Sequence, residues 1–321
     1  MLENNMKTPI LYLVFNRLDL VEKSFAKIKN ARPKVLFVAA DGPRADAIED
    51  ERKCYDVRNY IKQNIDWECE VSYLFREKNL GCGLAVSQAI SWFFENVEEG
   101  IILEDDCLPG NSFFPFCEEL LIKYRDNKKV YHIGGSNWQK GNKRGDADYY
   151  FSNIPGIWGW ATWSDRWADY KFDIFKNKEN WQKLDKRLPE ITNSEEEKVF
   201  QLKCFNSCKN NQIDTWDYQW RFLVFIKKGL CIVPNKNLVS NLGHREDSAH
   251  TKDSSHWRAN LNIEEMGFPL KHPKRIAVNR KADKFLADHL FLNKTKKKNI
   301  AYKYLKKVKG KSFKLFKKII D

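Results

Sequence analysis

Apolar and polar positions alternate in short blocks through the first hundred residues. Ile10 to Phe15 is an apolar run too short for a helix, flanked by Pro9, and it reads as a buried strand. Asn16-Arg17 ends it, and Asp19 to Asn30 reads as a helix. Val35 to Ala40 is a second buried strand, closed by the turn-forming Asp41-Gly42-Pro43. Asp46 to Asn64 is helical, Val71 to Phe75 is a third strand, and Arg76 to Gly83 is a polar loop containing glycine. Leu84 to Asn96 is a helix with a large apolar face, and Ile101-Ile102-Leu103 is a fourth strand. Strands that alternate with helices at short intervals predict parallel βαβ units and a three-layer α/β/α sandwich with a mostly parallel central sheet.

The pattern changes after residue 110. Val130 to Gly135 and Tyr149 to Phe151 predict strands with a polar Lys/Gly loop between them. Pro155 to Trp163 is dense in Gly and Trp. Asp165 to Tyr170 and Ser194 to Asn210 predict helices, the second opened by a capping box of Ser194 and Glu197. Trp216 to Trp220 opens another apolar helix, Leu230 to Pro234 is a late strand, and Asn241 to Asp253 is a polar loop with His244, Asp247 and His250. There is no internal repeat. The organisation expected is one domain over residues 1–293, in two halves, 1–110 and 111–293, followed by a separate segment 294–321.

The fourth strand ends on Glu104-Asp105-Asp106, with Pro109-Gly110 close behind. Three consecutive carboxylates at the end of a buried strand need a partner, because unpaired buried charge is very costly. A hard divalent cation, Mn²⁺ or Mg²⁺, with a phosphate on its far side would supply one. The carboxyl ends of strands are where ligands bind in open α/β sheets. Each strand end of this half carries polar candidates: Asn16 with Arg17, Asp41, Arg76 with Asn79, and the acidic triplet.

Composition narrows the class. A chain of 321 residues with 42% hydrophobic residues and 11 Trp can bury a substantial core. The 8 Cys are scattered, and Cys204 with Cys208 has no second pair to complete a zinc site. Free thiols in a reducing cytoplasm are the expectation. No run approaches the ~18 apolar residues that span a bilayer, and the N-terminus shows no signal-peptide pattern. Of the net charge of +13, +11 lies in residues 294–321, which hold twelve Lys and one Asp. Apolar residues recur there at helical spacing, among them Ile300, Leu305, Val308, Phe316 and Ile319, interrupted by Gly310. A basic amphipathic helix on the anionic inner face of a membrane is expected, with a solvated tail as the bland reading. No stacking platform or groove-reading motif accompanies the lysines, so nucleic acid is not the expected partner.

Phe15-Asn16-Arg17, Asp41-Gly42, Asn79-Leu80-Gly81 and Glu104-Asp105-Asp106 fall in the order used by nucleotide-sugar glycosyltransferases of the GT-A fold, and this half resembles the broad family 2 group. The triplet is similar to the Glu-Asp-Asp form of the Asp-X-Asp motif in N-acetylglucosaminyltransferase I. The Gly156 to Trp160 segment is similar to that enzyme's acceptor segment, and Trp216-Asp217 to its base-bearing pair. The resemblance spans roughly residues 7–250 as spaced motifs, and it departs in lacking a secretory anchor. It implies a peripheral, cytoplasmic hexosyl- or N-acetylhexosaminyltransferase acting in surface polysaccharide or lipid-linked glycan synthesis. It also implies a set of roles. Asp106 holds the metal, with His244 or His250 on a late loop as an additional ligand. Glu104 and Asp105 face the ribose, base or metal-bound water, and Arg76 and Asn79 hold base or phosphates. Asp41 accepts from a uracil imide, favouring a UDP-sugar, although it is equally a turn-former before Gly42. Asn79 is equally a helix cap. Asp217 is the base for inversion, with Asp214 as the alternative, and Trp158, Trp160 and Trp216 form an acceptor wall unless they pack in the core. His132 is read as structural.

A non-catalytic binding protein with the same fold, docked on membrane or RNA, is the rival class. A sugar nucleotidyltransferase would carry a Gly-rich loop with Arg and Lys after the first strand, and Leu11 to Asp19 has none.

Overall fold

A computed structural model of the chain describes residues 6–245, 253 and 256–292. The elements run β1 (Ile10–Val14), α1 (Leu18–Ala31), β2 (Val35–Ala40), α2 (Asp50–Asn64), β3 (Glu70–Phe75), α3 (Gly81–Phe94), β4 (Glu99–Glu104), β5 (Cys107–Pro109) and α4 (Phe113–Tyr124). They continue β6 (Val130–Gly134), β7 (Tyr149–Ser152), β8 (Trp160–Trp163), α5 (Ser164–Trp167), α6 (Lys178–Ile191), α7 (Glu195–Lys209), α8 (Asp217–Ile226), β9 (Leu230–Pro234), β10 (Val239–Asn241) and α9 (Arg280–Ala287).

Eight strands form one sheet in the order β3-β2-β1-β4-β8-β6-β9-β7, and β5 pairs with β10 in a two-stranded ribbon. β1 to β4 are parallel to one another and β6 is parallel to β9. β8 runs against both its neighbours, and β7 runs against β9. Six of the eight strands therefore point one way, as the sequence pattern predicts. Alternate residues of each strand enter opposite cores, because successive side chains leave a strand on opposite faces. Ile10, Tyr12, Val38 and Leu103 join α1, α2 and α4 on one face. Leu11, Leu13, Phe37 and Ile102 join α3, α6, α7 and α8 on the other. The result is a three-layer α/β/α sandwich.

Several elements depart from the sequence reading. The helix expected from Asp46 begins at Asp50, and α3 begins at Gly81 rather than Leu84. No expectation covered α4, which is apolar on most sides and shows no clear period; its Pro115 lies in the first turn, where a missing N–H is tolerated. Nor did any expectation cover α6, α9, β5, β8 or β10. Ser194 caps α7 by accepting from Glu197 N–H at 3.2 Å, but the Glu197 carboxylate accepts from Asn193 N–H at 2.6 Å, one residue earlier than a capping box requires. None of the eight cysteines forms a disulfide. No helix among the described residues is long and apolar enough to cross a membrane. The expected basic amphipathic helix at 294–321 lies outside the described residues.

Candidate active site

The chain order reverses between β1 and β4, since β2 and β3 lie to one side of β1 and β4 lies to the other. That crevice is where parallel sheets accept ligands. Register brings the candidates to one edge: Glu104 pairs beside Leu13, and Ala40 beside Val14. Arg17, Asp41 and the acidic triplet therefore line an open cleft of about 1600 Å³.

Glu104 is the last residue of β4, and Asp105 and Asp106 form the turn into β5. The Asp105 side chain is 3% exposed and is ion-paired with Arg17, so its carboxylate is engaged by the chain itself. Arg17 also donates from Nη2 to Asp106 Oδ2 at 3.1 Å. Against burial, which disfavours its charge, Asp105 and Asp106 push the Arg17 pKa up. Arg17 thus anchors the triplet from within the cleft wall. Ser24 Oγ donates to the Asp105 carbonyl at 2.9 Å and meets Tyr12 Oη at 2.6 Å, tying the turn to α1 and β1. Burial, followed by the Asp106 and Asp105 charges, pushes Glu104 well above the usual carboxylate range.

Asp106 keeps 16% of its side chain exposed and lines the cleft. Its Oδ1 accepts from Asn241 Nδ2 at 3.2 Å, and its carbonyl accepts from Leu242 N–H at 2.8 Å. The β5–β10 ribbon, which pairs Asn241 with Cys107, brings that loop to the triplet. Gly243 then lies against the Asp106 carboxylate so closely that a Cβ there would collide with it. His244 follows, buried, edge-on to Trp158 at 5.4 Å and stacked on His256 at 5.4 Å. Burial lowers its imidazole pKa. His250 and Asp247 lie outside the described residues.

Among the described residues no three His, Cys, Asp or Glu side chains converge as a cage for a metal. A cation of the Mg²⁺ kind needs no such cage, because it binds through one or two carboxylates plus substrate phosphates and keeps several waters. Asp106 retains lone pairs beyond those used by Arg17 and Asn241. Asp105 and Asp106 share a single guanidinium, that of Arg17, so the charge balance also fits an added cation. The residues fit a divalent ion that arrives with a diphosphate.

The other donor candidates are braced by the chain itself. Both Asp41 oxygens are taken: they accept from the N–H groups of Gly42, Leu80 and Gly81 and from Asn79 Nδ2, at 2.9–3.1 Å. The carboxylate expected to read a uracil instead clamps the end of β2 to the start of α3. Asn79 donates to Asp41 and to the Gly42 carbonyl. Asn16 donates to Asp50 at 2.7 Å. Arg76 remains at the cleft, half-buried, with its Nη2 on Gln88 at 3.2 Å.

Across the cleft stand Asp214 and Asp217. Asp214 Oδ1 accepts from Gly83 N–H at 3.0 Å, and its carboxylate is packed against both Gly81 and Gly83, where a Cβ would clash. It caps α3, which explains why that helix starts early. Asp217 opens α8, its Oδ1 accepts from Thr215 Oγ1, and Oδ2 has no partner among the described residues. Of the indoles, Trp158 lines the cleft, flanked edge-on by Trp138 at 5.1 Å. Trp160 is core, 1% exposed, stacked between His132 at 5.0 Å and Trp216 at 5.6 Å. It is not an acceptor wall. Trp216, also 1% exposed, lies in the floor beneath Asp217. His132 is structural, as read: Nε2–H donates to the Gly156 carbonyl at 2.9 Å and Nδ1 accepts from Trp220 Nε1–H at 3.3 Å.

Sequence reasoning missed Arg221, Arg258, Asn241 and Gly243, all at the cleft. Arg221 stands four residues after Asp217, a spacing that puts both on one helix face, and was legible. Arg258 sits in an irregular segment and gave no periodic signal.

No protein-family model matches the chain, and no curated protein matches its sequence. Solved structures that align with it include a mannosyltransferase from Pyrobaculum calidifontis in complex with GDP-mannose and Mn²⁺, at 10% identity, covering 70% of each chain with a TM-score of 0.38. A UDP-glucose pyrophosphorylase aligns at 11% identity over 71% of this chain and 90% of its own, TM-score 0.33. A putative glucose-1-phosphate thymidylyltransferase from Bacillus anthracis aligns at 9% identity over 54% of this chain and 75% of its own, TM-score 0.33.

Proposed function

We propose that the protein is an inverting, metal-dependent glycosyltransferase of the GT-A type that moves a sugar from a nucleoside-diphosphate donor to a glycan or lipid-linked acceptor. One observation carries this reading. A braced carboxylate turn at the carboxyl edge of parallel strands faces, across one cleft, a second carboxylate, Asp217, whose Oδ2 no described residue hydrogen-bonds. A divalent ion at Asp106 would supply Lewis-acid stabilisation of the departing diphosphate. Arg17 and Asn241 fix the Asp106 carboxylate from two sides, so it meets the ligand without reorganising. Thr215 orients Asp217 through Oδ1. Its Oδ2 takes the proton of the acceptor hydroxyl as that oxygen attacks the anomeric carbon opposite the leaving diphosphate, which inverts the centre. Because Asp41 is filled by the chain's own donors, the proposal names a nucleoside diphosphate and no particular base. The β1–α1 connection, Phe15-Asn16-Arg17, has no glycine to cradle phosphate as a nucleotidyltransferase loop would.

The test is thermal unfolding with UDP and with GDP, each with and without Mn²⁺. One of them should stabilise the protein only with metal, by about 2.7 kcal/mol at a hundred times its dissociation constant. Asp106→Ala should abolish the shift, and an undiminished shift in that variant would overturn the assignment. The Lys-rich residues 294–321 are proposed to hold the enzyme on the anionic cytoplasmic face of a membrane. Truncation after residue 293 should abolish cosedimentation with anionic vesicles and leave nucleotide binding intact.

A further inference from the structure

Two guanidinium groups in the cleft are not used by the donor chemistry. Arg221 lies one turn along α8 from Asp217 and touches the Tyr218 ring, 5.3 Å from its centroid. Arg258 is sandwiched against Trp138 and Trp158, 4.9 and 5.0 Å from the ring centroids. The segment bearing it is pinned to β10 by Asn260 N–H on the Asn241 carbonyl at 3.2 Å. Among the described residues neither Arg221 nor Arg258 has a carboxylate partner, and the buried Nε of each makes no hydrogen bond. Burial, followed by the neighbouring charge of Arg221, lowers the Arg258 pKa to about 10. Two like charges sharing a half-buried wall cost solvation that an anion between them would offset. The planar fork of Arg matches a carboxylate or phosphate with paired hydrogen bonds.

Position says which substrate brings the anion. Arg258 feels the charges of Arg221, Tyr218 and Asp217, whereas Arg17 is the cation on the acidic triplet. The pair thus stands beside the proposed base, with Arg221 on the base's own helix and Arg258 on a segment that borders β10. We infer that Arg221 and Arg258 form an anion subsite for the acceptor, so that the sugar presented to Asp217 carries a carboxylate or a phosphate near its reacting hydroxyl. The inference rests on the glycosyl-transfer reading for the word acceptor, and on the two arginines alone for the anion. The half-buried indole of Trp158 lines the cleft beside that anion.

The full-length protein, with Mn²⁺ and the nucleoside diphosphate that stabilises it, would be titrated calorimetrically with matched probes. These are methyl glucuronide against methyl glucoside, methyl galacturonide against methyl galactoside, and glucose 6-phosphate against glucose. At least one charged probe should bind roughly tenfold to a hundredfold tighter than its neutral twin, the worth of a hydrogen bond to a charged group. The uronide and phosphate arms tell carboxylate from phosphate. Arg221→Gln and Arg258→Gln should erase the preference and keep nucleotide binding, and Arg221→Lys, which retains the charge, should restore part of it. Equal binding of charged and neutral twins in all three pairs overturns the inference. So does a loss of nucleotide affinity in the Gln variants as large as the loss for the charged probe, since the pair would then serve the donor. If no nucleoside diphosphate binds but the charge preference persists and vanishes in the Gln variants, the anion subsite stands and the transferase reading falls.

Discussion

Asp214 and Asp217 are three residues apart, carry the same functional group and line the same cleft, yet the structure gives them separable work. Asp214→Ala removes the acceptor of Gly83 N–H and uncaps α3, which costs about 1 kcal/mol. With an unfolding entropy of roughly 2 cal/mol/K per residue, that lowers the melting temperature of a chain this long by about 1.5 °C. Asp217→Asn keeps an oxygen for Thr215 and loses only a charge in the first turn of α8, worth about 0.3–1 kcal/mol. Its effect on rate is of another order. An amide cannot take the acceptor proton, so turnover should fall by roughly 10²–10⁴. That is about 2.7–5.5 kcal/mol of barrier at 1.36 kcal/mol per tenfold. Release of nucleoside diphosphate from the sugar donor, with water as acceptor, reads the rate before any glycan acceptor is known. Calorimetric unfolding with and without nucleotide reads the fold and the donor site. The reasoning fails if Asp217→Asn turns over near the wild-type rate while Asp214→Ala, still folded and still binding nucleotide, does not.

Gly243→Ala would push a methyl group into the Asp106 carboxylate and should cut the metal-dependent nucleotide shift in thermal unfolding while the shift-free melting temperature stays close to wild type. Trp160→Ala should destabilise the fold by about 3–5 kcal/mol in denaturant titration, the cost of emptying a buried aromatic site; a change under ~1 kcal/mol would refute its place in the core. Burial lowers the His132 pKa to about 4, below the ordinary 6.5, so the unfolded chain binds the extra proton first. Stability should therefore fall as pH drops through that window, by up to about 3 kcal/mol, and His132→Gln should flatten that part of the stability–pH curve.

The alternation of short apolar runs with helical segments over residues 10–104 determined four parallel strands, their helices and the edge on which their polar ends meet, because strand burial and period are local properties of the chain. The placing of the acidic triplet at a strand's end was legible for the same reason. What each polar residue does there was not. Asp41, Asp105 and Asp214 have the same side chain as Asp106 and Asp217 and line the same cleft, and only tertiary contacts show that the first three brace distant parts of the chain. Asp41 meets the α3 N-terminus some 40 residues on, Asp105 meets Arg17 88 residues back, and Asp214 meets Gly83 131 residues back. Trp158 and Trp160 stand two residues apart, so sequence cannot say which is cleft and which is core; the stacking of Trp160 between His132 and Trp216 decides it. The β5–β10 ribbon, which carries Gly243 to Asp106, joins segments 130 or more residues apart and too short to show a period. Hydrogen-bond partners and close backbone approach are long-range facts, and a sequence records them only through the fold that brings them together.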